Sequence, residues 1–231
     1  MVAVGTPEPE RGIWLSDEAD RADLMAFTER ASRMDSAAVI RLRTRSPGVI
    51  AAWVATGFDV LANRLVRGHL SPGDLCCAGD VLAGAIPGAS GTGFIDPGYS
   101  MDSAWRSVLP PEGGFVHLDD VPAGLMLDLA RRGVELAREH GGAQGPPSAL
   151  LDQEVVGVSC GDQHVGIPMR CVFALTAMGF LPQSPSGEEF SPHSVPADEV
   201  VRVRVLPAWL RVDARYGSVY RRRGDPAVVL R

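Results

Sequence analysis

The chain has 231 residues, 45% of them hydrophobic and 22% charged, and a formal net charge of −6. All 22 basic residues are arginine. This excludes the enzymes that need an active-site lysine: Schiff-base enzymes, Gly-Lys-Ser/Thr phosphate loops, protein kinases and Ser-x-x-Lys acylases. The composition is that of a globular protein, long enough for one large domain or two small ones.

The sequence predicts a cytoplasmic protein. Its longest strongly apolar and uncharged run, residues 172–181, is too short to span a bilayer. Residues 1–11 lack the basic and apolar regions of a signal peptide. The four cysteines form no disulfide framework, so we expect reduced thiols at Cys76, Cys77, Cys160 and Cys171.

The first half of the chain predicts one helix followed by strands. Residues 16–34 have helical spacing, with Ser16 as the expected N-cap and acidic residues in the first turn. Apolar and polar residues then alternate over 38–44, and 48–66 predicts a hairpin that turns near Thr56 and Gly57. Residues 74–86 are compatible with either a buried strand or a short helix.

A segment rich in Gly, Pro, Ser and Asp, 84–114, predicts a boundary between two lobes. After it we expect a strand over 115–118 and a helix over 122–140, capped by Asp119 or Asp120 and stopped by Gly141. A strand over 154–159, a buried helix over 168–179 and a loop over 187–197 follow. Two or three strands then occupy 200–223, with a turn at 215–218.

These elements predict an α+β fold with antiparallel strands, about three main helices and a C-terminal β-hairpin. The expected lobes are residues 1–107 and 108–231. The two lobes either form separate cores or share one.

The charge is distributed unevenly, because residues 200–231 carry +6 and residues 1–199 carry −12. Arginine neutralises phosphate and aromatic rings stack on bases, so an arginine and aromatic mixture is typical of nucleic-acid surfaces. The alternative is that these arginines pair with the protein's own acidic residues or with a partner subunit. The predicted contact surface consists of Arg202, Arg204, Trp209, Arg211, Arg215, Tyr216, Tyr220, Arg221, Arg222 and Arg223.

Other motifs give weaker predictions. The glycine-rich stretch 88–94 resembles a phosphate loop in composition, but Pro97 and Gly98 oppose the helix that should follow, which favours a flexible loop. No Cys-x-x-Cys pair anchors Cys160, His164 and Cys171, so we expect neither a metal nor a cofactor. Arg170 lies in the most apolar helix, and we expect its side chain either to extend to solvent or to pair with Asp162.

Catalytic residues are not predicted. Ser159, Cys160 and the histidines permit a triad on paper, but no Gly-x-Ser-x-Gly elbow is present. The histidines are His69, His117, His140, His164 and His193.

Three functions remain open. The preferred hypothesis is a non-enzymatic interaction or regulatory protein that self-associates or binds a protein partner through the C-terminal hairpin. The second is a small-molecule enzyme or binding protein, with a pocket between the lobes lined by His117, Asp119, Arg170 and the 88–94 loop. The third is a nucleic-acid-binding protein. An acidic partner is favoured over DNA, because the acidic body repels a long polyanion.

Overall fold

The computed structural model describes residues 10–89, 91–140, 146–182 and 195–224. It confirms the α+β class, since helices occur together with antiparallel strands and the last two described strands form a hairpin. No described helix is long and apolar enough to cross a membrane. Most of the expected 187–197 loop, Gly141, His193 and the side chain of His140 lie outside the described residues.

Contacts within the chain define two compact units. The first comprises residues 1–54 and 64–107, and the second comprises residues 55–63 and 108–231. Residues 55–63 therefore belong to the second unit although they are encoded within the first half of the chain. The expected division into domains at residue 107 stays a prediction.

The first unit holds two sheets, with strand orders β6-β2-β3-β4 and β5-β1-β7. The tip between β3 and β4 belongs to the second unit. The elements are β1 (Gly12–Trp14), α1 (Glu18–Met34), β2 (Val39–Ser46), β3 (Val49–Thr56), β4 (Val60–Arg67), β5 (His69–Ser71), β6 (Asp74–Ala78), α2 (Gly79–Ala85) and β7 (Phe94–Ile95).

The N-cap of helix α1 lies one residue later than predicted. Asp17, not Ser16, is the N-cap, and its carboxylate accepts a hydrogen bond from the Ala19 amide at 2.8 Å. The helix is fixed to β4 by Asp20, which accepts from the backbone amide of Arg67 at 2.9 Å and from its Nε at 3.0 Å. A carboxylate in the first turn also suits the helix dipole.

The region that allowed either a strand or a helix contains both. Strand β6 pairs with β2 until Ala78, and α2 begins at the next residue, Gly79. A Cβ on Gly79 would lie 2.8 Å from Ser32 Oγ and 3.2 Å from the Ala38 carbonyl oxygen. Only glycine fits this close approach without a shift of the neighbours, and the chain changes from strand to helix there.

In the second unit the strands follow the order β4-β13-β12-β11-β8, with residues 61–63 of β4 pairing with β13. Strands β9 and β10 form a separate hairpin. The elements are β8 (Val116–Pro122), α3 (Ala123–His140), α4 (Ser148–Asp152), β9 (Glu154–Cys160), β10 (Gln163–Pro168), α5 (Met169–Ala177), β11 (Val200–Leu206), β12 (Trp209–Ala214) and β13 (Gly217–Arg222).

The core of this unit lies between the sheet and the helices α3 and α5. Val201, Val203 and Val205 are buried on alternate positions of β11, as a strand with one covered face requires. Helix α5 is buried from Met169 to Leu175, which confirms the predicted apolar helix. The two helices approach closely at Gly133, where a Cβ would lie 2.8 Å from Cζ of Phe173.

The predicted cap of α3 is wrong. Strand β8 continues to Pro122, so Asp119 and Asp120 lie in the strand and the helix begins at Ala123. Val121 pairs with Val201 of β11 and is buried, as is Leu118. The longer strand is favoured because it buries the apolar side chains of Leu118 and Val121.

Candidate functional site

The side chains that alternate with the core valines form an open surface on β11, β12 and β13, which we call the arginine face. Directly opposite residues of antiparallel strands project to the same side of a sheet. Arg202, Asp213 and Ser218 therefore form one row, and Arg204, Arg211 and Tyr220 form the next. The arginine face consists of Arg202, Arg204, Leu206, Trp209, Arg211, Asp213, Ser218, Tyr220 and Arg222.

Asp213 is the central acceptor of this face. Its carboxylate pairs with Arg204 and also accepts from Arg211 Nε at 2.6 Å and from Ser218 Oγ at 2.5 Å. Two guanidinium groups thus share one carboxylate. The pairing fixes both side chains.

Arg211 is also held by aromatic rings. Its guanidinium carbon lies 5.4 Å from the centre of the Tyr220 ring and 5.7 Å from that of Phe115, within the range of cation–π contacts. Tyr220 is only 4% exposed and Trp209 only 8%. Both rings were expected to be available for contact; instead both are buried, and Tyr220 packs against Arg211.

The remaining residues of the predicted surface have varied environments. Arg215 pairs with Glu199, a hydrogen bond that raises the pKa of the guanidinium, and it stacks over the ring of Tyr216. Arg221 projects to the core side and contacts Asp152 at 3.1 Å. Arg223 donates to the Leu206 carbonyl at 3.4 Å.

Arg202 and Arg222 are different, because both are exposed and neither forms an ion pair with any residue in the described part of the chain. Their charges remain available on the arginine face. Four of its residues are arginines, whereas Asp213 of the face and the neighbouring Asp120, opposite Arg202 on β8, are the acids in these rows. The surface is therefore positively charged in a protein whose net charge is negative.

Two residues of the enzyme hypothesis, His117 and Arg170, lie on opposite sides of the sheet in the second unit. His117 lies opposite Arg204, on the open side of the sheet, and its Nε2 is 2.8 Å from Asp120 Oδ1. Arg170 lies on helix α5, on the core side. The sheet separates the two residues, and they do not line one cleft. Asp119 accepts from the amide of the next residue and is exposed.

Arg170 has a different partner from the one expected. It is 7% exposed and donates to Asp152 Oδ1 through Nε at 3.1 Å and Nη2 at 2.5 Å, not to Asp162. Its Nη1 donates to the Phe58 carbonyl at 2.6 Å, and Asp59 lies 3.7 Å away. Sequence reasoning missed Asp152 and the 58–59 turn, because no local pattern links positions that are 18 and 112 residues from Arg170.

The residues considered for a metal site are also apart. Cys160 faces Gln163 across the β9–β10 hairpin, whereas His164 faces Ser159 on its other side, and Cys171 is fully buried. No three His, Cys, Asp or Glu side chains within 10–89, 91–140, 146–182 and 195–224 form a metal-binding group. Burial raises the pKa of Cys171 to about 12, and those of Cys76 and Cys77 likewise.

The glycine-rich stretch has a packing explanation. Gly93 has a φ of +70°, and its carbonyl accepts from the Leu15 amide at 2.9 Å. A Cβ at this position would lie 2.3 Å from the Leu15 carbonyl oxygen. Glycine is therefore required at 93 by the contact with Leu15, without any phosphate.

Comparison with known proteins places the chain by family and by fold. Residues 110–226 match the family "Domain of unknown function (DUF8185)", and residues 8–107 match "Domain of unknown function (DUF8010)". No curated protein matches the chain.

Several solved structures have a similar fold. They include a protein described as a DNA polymerase III beta subunit from Eubacterium rectale, with a TM-score of 0.57 and 10% identity, matched over 95% of this chain and 66% of that one. The Caulobacter crescentus pol III beta gives 0.53 and 11%, over 96% and 68%. The Bacillus subtilis DNA polymerase sliding clamp gives 0.54 and 11%, over 96% and 67%. This chain thus spans about two thirds of their length.

The match over half of the sequence and the agreement in fold together identify the chain as a member of the DUF8185 family with the fold of DNA polymerase sliding clamps.

Proposed function

We propose that this protein is a non-enzymatic interaction protein of the cytoplasm whose arginine face binds an acidic segment of a protein partner. The observation that carries the proposal is the pair of exposed arginines on that face. Arg202 and Arg222 have no ion pair among the described residues, and Asp213 holds Arg204 and Arg211 between them. Carboxylates of a partner would pair with these two arginines, while the sheet holds the guanidinium groups in place.

The burial of the aromatic rings on the arginine face indicates which kind of partner this face fits. Nucleic-acid surfaces that bind single strands offer aromatic faces for base stacking. Here Trp209 and Tyr220 are buried and leave guanidinium groups as the accessible donors. Carboxylates accept hydrogen bonds from guanidinium groups in a planar, paired geometry. An acidic protein segment therefore suits the face better than bases do.

The similar structures are subunits or sliding clamps of DNA polymerases, which makes DNA the rival partner. A DNA-binding surface needs an excess of positive charge to neutralise phosphates. The two long helices, α1 and α3, have no excess of positive charge. Helix α3 carries Asp128, Glu135 and Glu139 against three arginines, and α1 carries four acidic residues against three arginines. The excess of positive charge is therefore found on the arginine face and not on the long helices, and a contact limited to this face suits a short acidic segment better than a duplex.

A binding experiment with two probes tests this function. The probes are a fluorescein-labelled oligoglutamate peptide and a labelled DNA duplex, titrated with the full chain and followed by fluorescence anisotropy. We expect the wild-type protein to bind oligoglutamate, with an affinity that falls as salt screens the charges. Arg202→Gln with Arg222→Gln should weaken this binding about tenfold, since each exposed ion pair contributes about 0.2–1 kcal/mol.

The control is Arg131→Gln with Arg132→Gln on helix α3. It removes the same charge from arginines that are also exposed, next to Asp128, and should leave the affinity unchanged. Equal losses in both double variants would show that net charge alone attracts the probe, which contradicts a specific face. Tighter binding of the DNA duplex than of oligoglutamate would replace the proposal with the nucleic-acid alternative.

A further inference from the structure

Three residues of the arginine face lie on one diagonal line across the strands, and we call them the arginine diagonal. Arg202 lies on β11, Arg211 on β12 and Arg222 on β13. From each of these arginines to the next, the register moves one strand across and two residues along. Side chains two residues apart on a strand project to the same side, so all three point away from the core.

The spacing along the arginine diagonal determines how far apart a partner must place its acidic groups. Neighbouring strands lie about 4.8 Å apart, and two residues along a strand span about 6.7 Å. Each step of the diagonal is therefore about 8 Å, and the α-carbons of Arg202 and Arg222 are about 16 Å apart. A partner that pairs with both arginines must present two carboxylates at about this distance.

The two ends of the diagonal are where a partner's carboxylates are needed. Arg202 has an aspartate opposite it on each neighbouring strand, yet both carboxylates are engaged by other side chains. Arg222 lies opposite Trp209, and its row on β11 and β12 contains no acid. Between the ends, Arg204 and Arg211 keep 29% and 25% of their side chains exposed, so the middle of the diagonal is accessible as well.

An α-helix matches this spacing better than an extended segment does. Residues eleven positions apart in a helix are separated by about 16.5 Å and lie on nearly the same face. Residues i + 4 and i + 7 lie between them on that face. In an extended segment, side chains on one face recur about every 6.7 Å, which gives separations of about 13 or 20 Å but not 16 Å.

The backbone of the partner favours a helix too. The N–H and C=O groups of β11, β12 and β13 are used in pairing between the strands, and the face of the sheet presents only side chains. An extended segment lying on this face would find no partner for its own backbone groups, whereas a helix satisfies them internally. Binding of a helix therefore requires only that its acidic side chains reach the guanidinium groups.

We propose that the acidic segment bound by the arginine face is an α-helix with acidic residues at i, i + 4, i + 7 and i + 11. Residues i and i + 11 pair with Arg202 and Arg222, and the two residues between them contact Arg204 and Arg211. This inference rests on the proposed function, because it specifies the conformation and the acidic spacing of the segment that the face binds.

Two fluorescein-labelled helical peptides of equal composition test the inference. Each has four glutamates in a sequence of alanine and glutamine. The stripe peptide carries them at i, i + 4, i + 7 and i + 11, and the scattered peptide at i, i + 2, i + 5 and i + 10. The same side-chain staple, at positions without glutamate, holds both peptides helical, which circular dichroism checks. In fluorescence anisotropy with the full chain, the stripe peptide should bind about tenfold more tightly, because it engages both ends of the diagonal.

Variants of the protein locate the contact. Arg202→Gln with Arg222→Gln should lower the affinity for the stripe peptide to that for the scattered peptide, whereas the control Arg131→Gln with Arg132→Gln should leave it unchanged. A double-mutant cycle then tests the pairing at the ends. When glutamine replaces the glutamate at i + 11, one of the two substitutions Arg202→Gln and Arg222→Gln should cost no further affinity, because its partner is already removed. Full losses from both substitutions would overturn the inference.

The conformation of the bound segment is tested with an unstapled stripe peptide that has proline at i + 6. Proline breaks the helix but keeps the four glutamates, and binding should weaken about tenfold. Equal affinity of the stripe and scattered peptides, or of the stripe and proline peptides, would overturn the inference. If oligoglutamate nevertheless binds through Arg202 and Arg222, the proposed function stands. If neither the peptides nor oligoglutamate bind, both proposals fail.

Discussion

Replacing Arg170 with methionine should destabilise the second unit by about 2–4 kcal/mol. The Phe58 carbonyl would lose a charged donor at 2.6 Å, and hydrogen bonds of this kind contribute about 1.5–3 kcal/mol. Asp152 is half-exposed and retains Arg221, so the lost ion pair adds only about 0.5–1 kcal/mol. Methionine keeps the apolar stem, and no large cavity forms.

The measurement combines urea unfolding with hydrogen exchange. The free energy of unfolding should fall by the amount given, and amides of residues 55–63 should exchange faster, because Arg170 fastens this turn to α5. Arg138→Met, an exposed change on α3, is the control and should stay within about 0.5 kcal/mol of wild type. A loss below about 1 kcal/mol with unchanged exchange at 55–63 would refute the structural role and make Arg170 a binding-site candidate again.

Two further predictions concern packing and thiol reactivity. Gly133→Ala should lower the free energy of unfolding by about 1–3 kcal/mol, because the new methyl group would meet the Phe173 ring at 2.8 Å. The control is Gly84→Ala on α2, which has open space around it and should be neutral or slightly stabilising. Equal effects of the two substitutions in thermal unfolding would contradict this prediction. At pH 8 a maleimide should modify only the exposed Cys160 in the folded protein. The other three thiols are buried, their pKa values are raised to about 12, and they should react only after unfolding; they are Cys76, Cys77 and Cys171. A second fast adduct in the mass spectrum would contradict this prediction.

Local sequence patterns were sufficient to predict the long helices and the C-terminal strands. Helix α5 has an apolar residue at nearly every position, and β11 alternates valine with arginine, so burial and period identify each without tertiary information. The short strands β1, β5 and β7 were missed. Each has two or three residues, and pairing with distant segments, such as Trp14 with His69, creates them. No local period exists at that length.

The surface was harder to predict than the fold. Sequence identifies which residues of β11, β12 and β13 alternate, and hence that the arginines share a face. It does not show that Asp213 serves two of them or that Trp209 and Tyr220 are buried, because burial of a strand's outer face depends on what packs over it. The close approach of Val81 to Gly98 depends on long-range packing too, because the two residues belong to segments whose structures were predicted separately.

The turn at residues 55–63 has a consequence for whether recombination can separate the two halves of the chain. The second unit relies on this turn for the strand that pairs with β13 and for the carbonyl that Arg170 binds. The turn nevertheless lies within residues 8–107, which match the DUF8010 model, and outside residues 110–226, which match the DUF8185 model. A gene fragment that encoded only 108–231 would yield a sheet with an unpaired edge at β13 and a buried arginine short of one acceptor. Recombination that separates the two halves should therefore be disfavoured, and the halves should evolve as one heritable unit.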